Sequence, residues 1–299
     1  MKVIVWILVM TITLIALPLR MGCSDEGPEY GIYLFRQGKD ELAIPELERT
    51  LYYHESAPDA PYLKLLLGLS YARSGQYGSA LSLLSALVEE LEDTPHGIRK
   101  EKLSCETTFH ILNIYFRQKR FTDFYYGREQ LALRCPELDT ALASSVQYMS
   151  IAGHIYTFDW KAALGELEMS PLQSTDFLKE QIEPLVGYRS KSPVLGGILS
   201  IIPGLGHVYA GRFGDGIRSL LINSAFVSLS YFSFKEDMPA LGAVFGVIEA
   251  SLYAANIYGG VNAVNQENAR FFIEKRESIL KQIPVPPLDI ITLRKELDF

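Results

Sequence analysis

Two long apolar segments, near residues 216–234 and 239–261, most limit how this chain of 299 residues can fold. The first, "GIRSLLINSAFVSLSYFSF", carries one charge at its start, and the polar break "KEDMP" separates it from the second. Each segment is long enough, as a helix, to cross a hydrocarbon core of about 30 Å. The sequence therefore predicts two transmembrane helices joined as a hairpin.

A glycine-rich stretch, "PGLGHVYAGRFGDG" at residues 203–216, leads into the first apolar segment. A phosphate-binding P-loop needs a Lys after its glycines, and a dinucleotide fingerprint needs G-x-G-x-x-G spacing after a strand. Neither pattern is present, so a phosphate site is not predicted. The stretch "SPVLGGILSIIPGLGHVY" is too short and too broken by glycine for a third span. We expect an interfacial or re-entrant element that packs closely on the spanning helices.

The region of about 190–265 resembles the two-transmembrane-helix domain family, whose hallmark is a glycine-rich segment that leads into a helical hairpin. The residues at the motif positions are Pro203, Gly204, Gly206, Tyr209, Gly211 and Gly216. The resemblance implies a membrane placement, commonly together with repeats or a signal sequence. It implies no reaction.

Polar side chains inside the predicted hairpin form a candidate site around Glu249. Across the hairpin, Glu249 is expected to face Asn223 or Ser224. Tyr253 and Asn256, at i+4 and i+7, share its helix face. An ionised carboxylate in the middle of a bilayer costs several kcal/mol, so we expect Glu249 to be protonated or tightly paired. The group is either a proton- or ligand-responsive site or hydrogen-bonding glue between the two helices.

Gly242 and Gly246 form a G-x-x-x-G pattern on the second apolar segment, which favours close helix packing or a homo-oligomer through the membrane helices. The orientation of the hairpin stays open. Export of the first half of the chain would place the "KEDMP" loop inside the cell, whereas the basic residues before the hairpin favour the opposite orientation.

The N-terminal stretch "MKVIVWILVMTITLIALPLR" has the length of a secretory signal, and residues 1–22 are expected to be a signal peptide or an anchor. Cys23 is a candidate lipid attachment point. Gly22 fits a bacterial lipobox and Arg20 does not, so an ordinary cleavage site is the alternative. In either case the segment that follows is expected to be exported.

The other two cysteines, Cys105 and Cys135, lie at nearly equal distances before and after a predicted helix turn near Lys119. Residues equidistant from the turn of a helical hairpin lie at the same height. The two sulfurs are therefore within reach of a disulfide, which an oxidising compartment would form. Two buried free thiols are the alternative.

Residues 28–171 show an internal period of about 37 to 44 residues. "GIYLFRQGKDELAIPEL" aligns with "GLSYARSGQYGSALSLL", and two later units follow more loosely. The second unit resembles the tetratricopeptide repeat through Gly68, Tyr71, Gly75 and Ala80; the first unit supplies Gly31, Gly38 and Ala43. The resemblance implies stacked helix hairpins with a groove that holds an extended peptide or a partner helix.

Charge and motif content argue against nucleic acid and against catalysis. Residues 24–180 hold 24 acidic and 15 basic side chains, a balance of −9, whereas binding to phosphates needs an excess of Lys and Arg. The five histidines are not spaced as metal ligands, and no catalytic motif is present. We therefore expect no catalytic residues, no metal and no cofactor, and we expect that the protein is not an enzyme.

The predicted fold is all-α. A tetratricopeptide-like solenoid at 24–185 precedes a membrane domain at 190–265, and an amphipathic helix and an extended tail follow at 266–299. The leading hypothesis is a non-catalytic adaptor of a bacterial cell envelope, with a protein or peptide partner in the repeat groove. It would sit in the inner membrane, with its repeats in the periplasm. The alternative is a small transport or sensing component centred on Glu249. A third hypothesis is a lipoprotein whose repeats bind unfolded porin-like chains.

Overall fold

A computed structural model describes residues 28–93, 98–169 and 176–291. Within those ranges the regular structure consists of thirteen α-helices and no strand. The predicted all-α class is therefore confirmed. The predicted signal segment at 1–22 and Cys23 lie outside the described residues.

The first eight helices follow one another as four helix–turn–helix pairs. They are α1 (Glu29–Arg36) with α2 (Asp40–Tyr53), α3 (Ala60–Arg73) with α4 (Tyr77–Asp93), α5 (Ile98–Arg117) with α6 (Phe121–Arg134), and α7 (Thr140–Tyr156) with α8 (Trp160–Glu168). From α1 to α6 each helix contacts the next. The first helices of neighbouring pairs also contact one another, α1 with α3 and α3 with α5. This arrangement is compatible with a helical solenoid.

The four turns share one backbone geometry, but only two of them contain the glycine that would predict it from the sequence. Each turn contains a residue of positive φ: Gly38 at 68°, Gly75 at 78°, Lys119 at 58° and Phe158 at 60°. The next residue donates its N–H five positions back, as from Lys39 to the Leu34 carbonyl (3.0 Å) and from Arg120 to the Tyr115 carbonyl (2.9 Å). This is a Schellman-type end, which favours glycine at the left-handed position. The third and fourth turns keep the geometry without the glycine.

Small residues set the distance between paired helices. A Cβ on Gly68 would lie 2.5 Å from Leu84, and a Cβ on Gly31 would lie 2.9 Å from Leu47. In the third pair the glycine moves to the second helix, where Gly127 packs on Leu112. Ala43 and Ala80, which the repeat pattern singled out, are fully buried, and so is Ala163 on α8.

The structure divides into two compact units. Among the described residues, the first comprises those within 28–146 together with 286–291, and the second comprises those within 147–285. The sequence placed its domain boundaries at 185–190 and 265–266, whereas the first division here falls inside α7. Leucines of α1 to α5 dominate the core of the first unit, which also includes Leu288 from the C-terminal segment.

Five further helices complete the second unit: α9 (Asp176–Val186), α10 (Pro193–Leu199), α11 (Leu205–Ala210), α12 (Phe213–Lys235) and α13 (Pro239–Leu280). Helices α12 and α13 pack as a hairpin, and the short α10 and α11 pack on α13. At 1.5 Å per residue the 42-residue α13 is about 63 Å long. The tail helix expected from residue 266 is thus the continuation of the hairpin's second helix, since no proline or turn interrupts them.

The far end of α13 carries an aromatic cluster. Phe271 stacks on Tyr188 with ring centroids 4.3 Å apart, and Phe272 stacks on Trp160 at 6.4 Å. The guanidinium of Arg276 lies 4.9 Å from the ring of Phe158. These contacts fix the part of α13 beyond the apolar stretch against α8 and the segment before α10.

Candidate functional site

A polar stripe on α5 forms the base of a groove in the first unit. Glu106, His110, Asn113 and Arg117 are spaced i, i+4, i+7 and i+11, so they lie on one face of the helix. Glu106 and Asn113 are 0% exposed, although α5 belongs to a unit whose core is otherwise apolar. Buried polar groups need hydrogen-bond partners, and residues 286–291 supply partners to Glu106 and Asn113.

Asn113 and Arg117 bind the main chain at the start of this segment. The Asn113 amide donates to the carbonyls of Pro286 and Pro287, each at 3.2 Å. Arg117 donates to the Pro286 carbonyl at 2.9 Å and to the Asn113 side-chain oxygen at 3.0 Å. The two side chains therefore hold one another in place while they bind the backbone carbonyls of the segment.

Arg73, near the end of α3, binds the middle of the segment. Its Nε donates to the Leu288 carbonyl at 2.7 Å, and its Nη2 lies 3.2 Å from the Asp289 carboxylate. The same guanidinium pairs with Asp40 and lies over the Phe35 ring at 4.0 Å. Contacts on both sides hold the planar group in place, so it donates to a carbonyl and a carboxylate in a fixed geometry.

Glu106 binds the far end of the segment. Its carboxylate accepts the backbone N–H of Ile291 at 2.5 Å, and His110 Nε2 lies 3.8 Å from the same oxygen. Between Arg117 and Glu106 the helix rises about 16 Å. Residues 286 to 291 cover that distance, and the chain bends at 288, 289 and 291. The segment runs antiparallel to α5.

The sequence predicted a groove for an extended peptide and, separately, an extended tail; the structure places residues 286–291 of the tail along α5, with bends at 288, 289 and 291. It did not identify Arg73, Glu106, Asn113 or Arg117 as groove residues. The available signal was polar side chains recurring at helical spacing through the apolar stretch "LSCETTFHILNIYF".

The predicted disulfide pair lies in the same unit. Cys105, on α5, and Cys135, directly after α6, form a disulfide with their Cα atoms 6.0 Å apart. The bond ties the two helices of the third pair together at the end away from their turn. Because Cys105 precedes Glu106, it fixes the end of α5 that binds the last described tail residue.

In the second unit, Asn256 is the centre of a buried hydrogen-bond network. Its Oδ1 accepts the N–H of Gly204 at 3.0 Å and the hydroxyl of Ser219 at 2.7 Å. Its Nδ2 donates to the Ser200 carbonyl at 2.6 Å. One side chain on α13 therefore ties down the glycine segment and α12, with Asn223 joining through its bond to the Ser219 carbonyl at 2.7 Å.

The two tyrosines predicted for this region also bind backbone. The Tyr253 hydroxyl donates to the Ile201 carbonyl at 2.8 Å, and the Tyr209 hydroxyl accepts the N–H of Ser192 at 3.2 Å. Both bonds hold irregular backbone around α10 and α11. These contacts account for the polar tyrosine groups without invoking a ligand.

Glycine is required in the motif because backbones touch there. Gly204 and Gly211 have φ of 88° and 94°, which other residues rarely adopt. A Cβ on Gly204 would lie 2.1 Å from the Gly216 carbonyl oxygen, and one on Gly206 would lie 2.0 Å from the Ser200 hydroxyl. Gly260, which the sequence motif did not include, is equally restricted, at 1.9 Å from that hydroxyl. Pro203 sits half-buried before Gly204.

Glu249 does not join the Asn256 network. Its Oε2 is buried and has no hydrogen-bond partner among the described residues, and the same holds for Asn223 Oδ1. The expected grouping of Glu249, Asn223, Tyr253 and Asn256 is therefore split. The other three make the bonds described above, while Glu249 stands apart on α13.

The G-x-x-x-G pattern faces the partner helix of the same hairpin. A Cβ on Gly242 would lie 2.8 Å from the ring of Phe234, and Ser230 donates to the Gly242 carbonyl at 2.9 Å. A Cβ on Gly246 would lie 3.4 Å from the Ser230 hydroxyl. Both glycines thus serve the contact between α12 and α13.

One helix among the described residues, α13, is long and apolar enough to cross a membrane. Its most apolar 18 residues have a mean hydropathy of 1.5, and only 11% of them are buried. The sequence predicted two such helices. Helix α12 is 23 residues long, but it carries Ser219, Asn223 and several further serines, which lower its hydropathy.

No group of three or more His, Cys, Asp or Glu side chains in the described part of the chain could hold a metal ion. No protein family, curated protein or solved structure matches this chain. The geometry of the groove and of the hairpin therefore carries the functional interpretation.

Proposed function

We propose that this protein is a non-catalytic adaptor of a bacterial cell envelope, anchored in the inner membrane, that binds a protein partner through its tetratricopeptide-like repeats. The observation that carries this proposal is the groove along α3 and α5. Its side chains are arranged to bind the main chain of a peptide segment, with Arg73, Asn113 and Arg117 as donors and Glu106 as the acceptor. Such a surface binds protein and offers no group placed for chemistry.

The membrane anchor is supported by exposed apolar side chains on both faces of the hairpin. A soluble domain rarely leaves so large a continuous apolar surface exposed to water. The exposed side chains on α12 and α13 include Leu221, Val227, Phe232, Leu241, Val244 and Val247. With lipid as the solvent for these residues, the buried Asn256 network and the glycine contacts become the forces that hold the helices together.

The extracytoplasmic placement of the repeats is supported by the disulfide between Cys105 and Cys135. Disulfides form and persist in oxidising compartments such as the periplasm. The apolar N-terminal stretch of the sequence provides the matching export signal.

Reporter fusions test the topology. A phosphatase that is active only in the periplasm, fused after Lys179 or after Phe299, is expected to be active in both cases. Inactivity after Lys179 would place the repeats in the cytoplasm and remove the export part of the proposal.

Photocrosslinking in cells tests the adaptor role. A photoreactive residue at exposed repeat positions, Tyr53, Tyr126 or Leu133, is expected to give a discrete protein adduct. The same residue at Glu236, in the hairpin loop, serves as the control. The adduct should disappear in Gly68→Leu, which forces a side chain into Leu84 and separates the second helix pair. Adducts that are identical at the control position, or that survive Gly68→Leu, would contradict the proposal.

A second candidate, a transport or sensing component, is favoured by Glu249 alone. Its buried, unpartnered Oε2 within the hairpin is the kind of group that changes protonation in membrane relays. Substitution of Glu249 separates the two candidates, as set out in the Discussion.

A further inference from the structure

We propose that residues 286–291 are an intramolecular ligand of the repeat groove, and that the adaptor's partner binds by presenting a segment of the same chemistry, which displaces them. This inference rests on the proposed adaptor function and specifies its partner. The partner segment carries consecutive prolines, then an aliphatic residue, then an acidic residue, as in "PPLDII".

The groove contacts both the main chain and two side chains of the segment. Asn113 and Arg117 bind the carbonyls of Pro286 and Pro287, and proline contributes no N–H that would need a partner there. Leu288 is buried in the leucine core of the first unit. Arg73 binds both the Leu288 carbonyl and the Asp289 carboxylate. The backbone contacts accept many sequences, whereas the Leu288 pocket and the Arg73 pair select aliphatic and acidic side chains.

The buried polar groups of the groove explain why the occupant must resemble the tail. Glu106 and Asn113 are fully buried, and without a bound segment their hydrogen bonds to it would be lost. Leaving such groups unsatisfied is costly. A segment that supplies the same carbonyls and N–H can replace the tail at little cost, whereas one without them cannot. Binding of a partner is therefore an exchange of equivalent contacts.

The tail competes with any partner at a high effective concentration, because it belongs to the same chain as the groove. A segment joined to its own binding site acts at an effective concentration in the millimolar range. A free peptide of the same sequence should therefore bind the intact protein weakly and bind strongly once the tail is weakened.

Fluorescence anisotropy with the full-length protein in detergent micelles tests this directly. The probe is a labelled synthetic peptide of residues 284–291, "PVPPLDII". We expect Leu288→Ala combined with Asp289→Ala, in the protein's own tail, to lower the Kd for the probe at least about tenfold relative to the unaltered protein. In that background Arg73→Ala should raise the Kd about tenfold, while Arg49→Ala, an exposed arginine of α2, should leave it unchanged.

A change in the probe peptide gives a second test whose result does not depend on whether the groove variants fold. A peptide with Lys in place of Asp289 should bind the weakened-tail protein at least about tenfold less tightly, with no further change in the groove. Absence of probe binding to the weakened-tail protein overturns the proposal, as does binding that ignores both Arg73→Ala and the lysine peptide.

Two outcomes distinguish this inference from its alternatives, which are a groove filled by the tail of a second copy and a partner site elsewhere on the repeats. If light scattering shows that the unaltered protein is a dimer and the weakened-tail variant a monomer, the tail occupies the groove of a second copy and the partner proposal fails. If a partner crosslinks to the repeats equally well with Arg73→Ala, the adaptor function stands while the groove is not its binding site.

Discussion

Both compact units contain antiparallel helix pairs, but the first unit buries its apolar side chains whereas the second leaves many of them exposed. In the first unit Leu84 is fully buried, and it fills the space left by Gly68 on the facing helix. In the second unit Val247 is 68% exposed, and the close contacts are made by backbone, as between Gly204 and Gly216. Burial of leucine stabilises a helix pair in water. In lipid that driving force is absent, and close packing with buried hydrogen bonds takes its place.

The largest effect is expected from Gly204→Ala, which tests backbone contact in the second unit. The new Cβ would lie 2.1 Å from the Gly216 carbonyl oxygen at a φ of 88°, and no side chain can move away to relieve it. We expect destabilisation by more than about 4 kcal/mol, seen as loss of a monodisperse peak after heating in micelles. Gly214→Ala is the control, because a Cβ there meets nothing within 4 Å. Equal melting of both variants would show that this contact does not hold the unit together.

Leucine truncation compares the two units directly. Leu84→Ala should cost about 2–5 kcal/mol, because it removes buried methyl groups and leaves a cavity. Leu221→Ala, on the exposed surface of α12, should change stability by less than about 0.5 kcal/mol. Chemical denaturation in micelles, followed by circular dichroism, measures both. A large effect at Leu221 would mean that protein, and not lipid, covers this surface.

Removal of the disulfide should affect the first unit alone. Cys105→Ser with Cys135→Ser is expected to lower stability by about 2–4 kcal/mol, because the bond closes a loop across the third helix pair. Limited proteolysis should then cut first within residues 98–134 while the hairpin helices stay protected. Cys23→Ser is the control and should leave the repeats unchanged. Simultaneous loss of protection in the hairpin would indicate that the two units unfold together.

The smallest effect is expected at Glu249. If this residue only packs between helices, Glu249→Gln keeps its shape and should change stability by less than about 0.5 kcal/mol, with partner crosslinking intact. Thermal melts and the crosslinking assay measure the two properties. A stable variant that abolishes a pH-dependent cellular activity would instead favour the transport or sensing candidate.

The sequence was sufficient to predict the first helix pairs and most of the motif glycines. Gly38 and Gly75 mark turns that need positive φ, so the first two helix pairs were clear in the sequence. Lys119 and Phe158 occupy the same geometry without a glycine, so the later pairs matched the repeat only loosely. The motif glycines at 204, 206 and 216 were identified, whereas Gly260 was not, because its contact partner Ser200 lies 60 residues away in the chain.

The contacts of the groove and of the Asn256 network could not be predicted from the sequence. Asn256 was singled out with Glu249 because the two share a helix face, yet only Asn256 has hydrogen-bond partners. Asn113 and Arg117 were not singled out, because the residues that they bind, 286 and 287, lie about 170 positions away in the chain. Helical periodicity tells which residues share a face. It does not tell what covers that face.

By itself the sequence determined the all-α class, the helix pairs and the apolar hairpin, because local spacing of leucine, glycine and polar residues sets helix ends and faces. Only the tertiary structure decided that the C-terminal segment lies along α5 and that Asn256 ties the glycine segment to α12. Those contacts join residues from about 40 to more than 200 positions apart, and their energy depends on distances that no local pattern specifies.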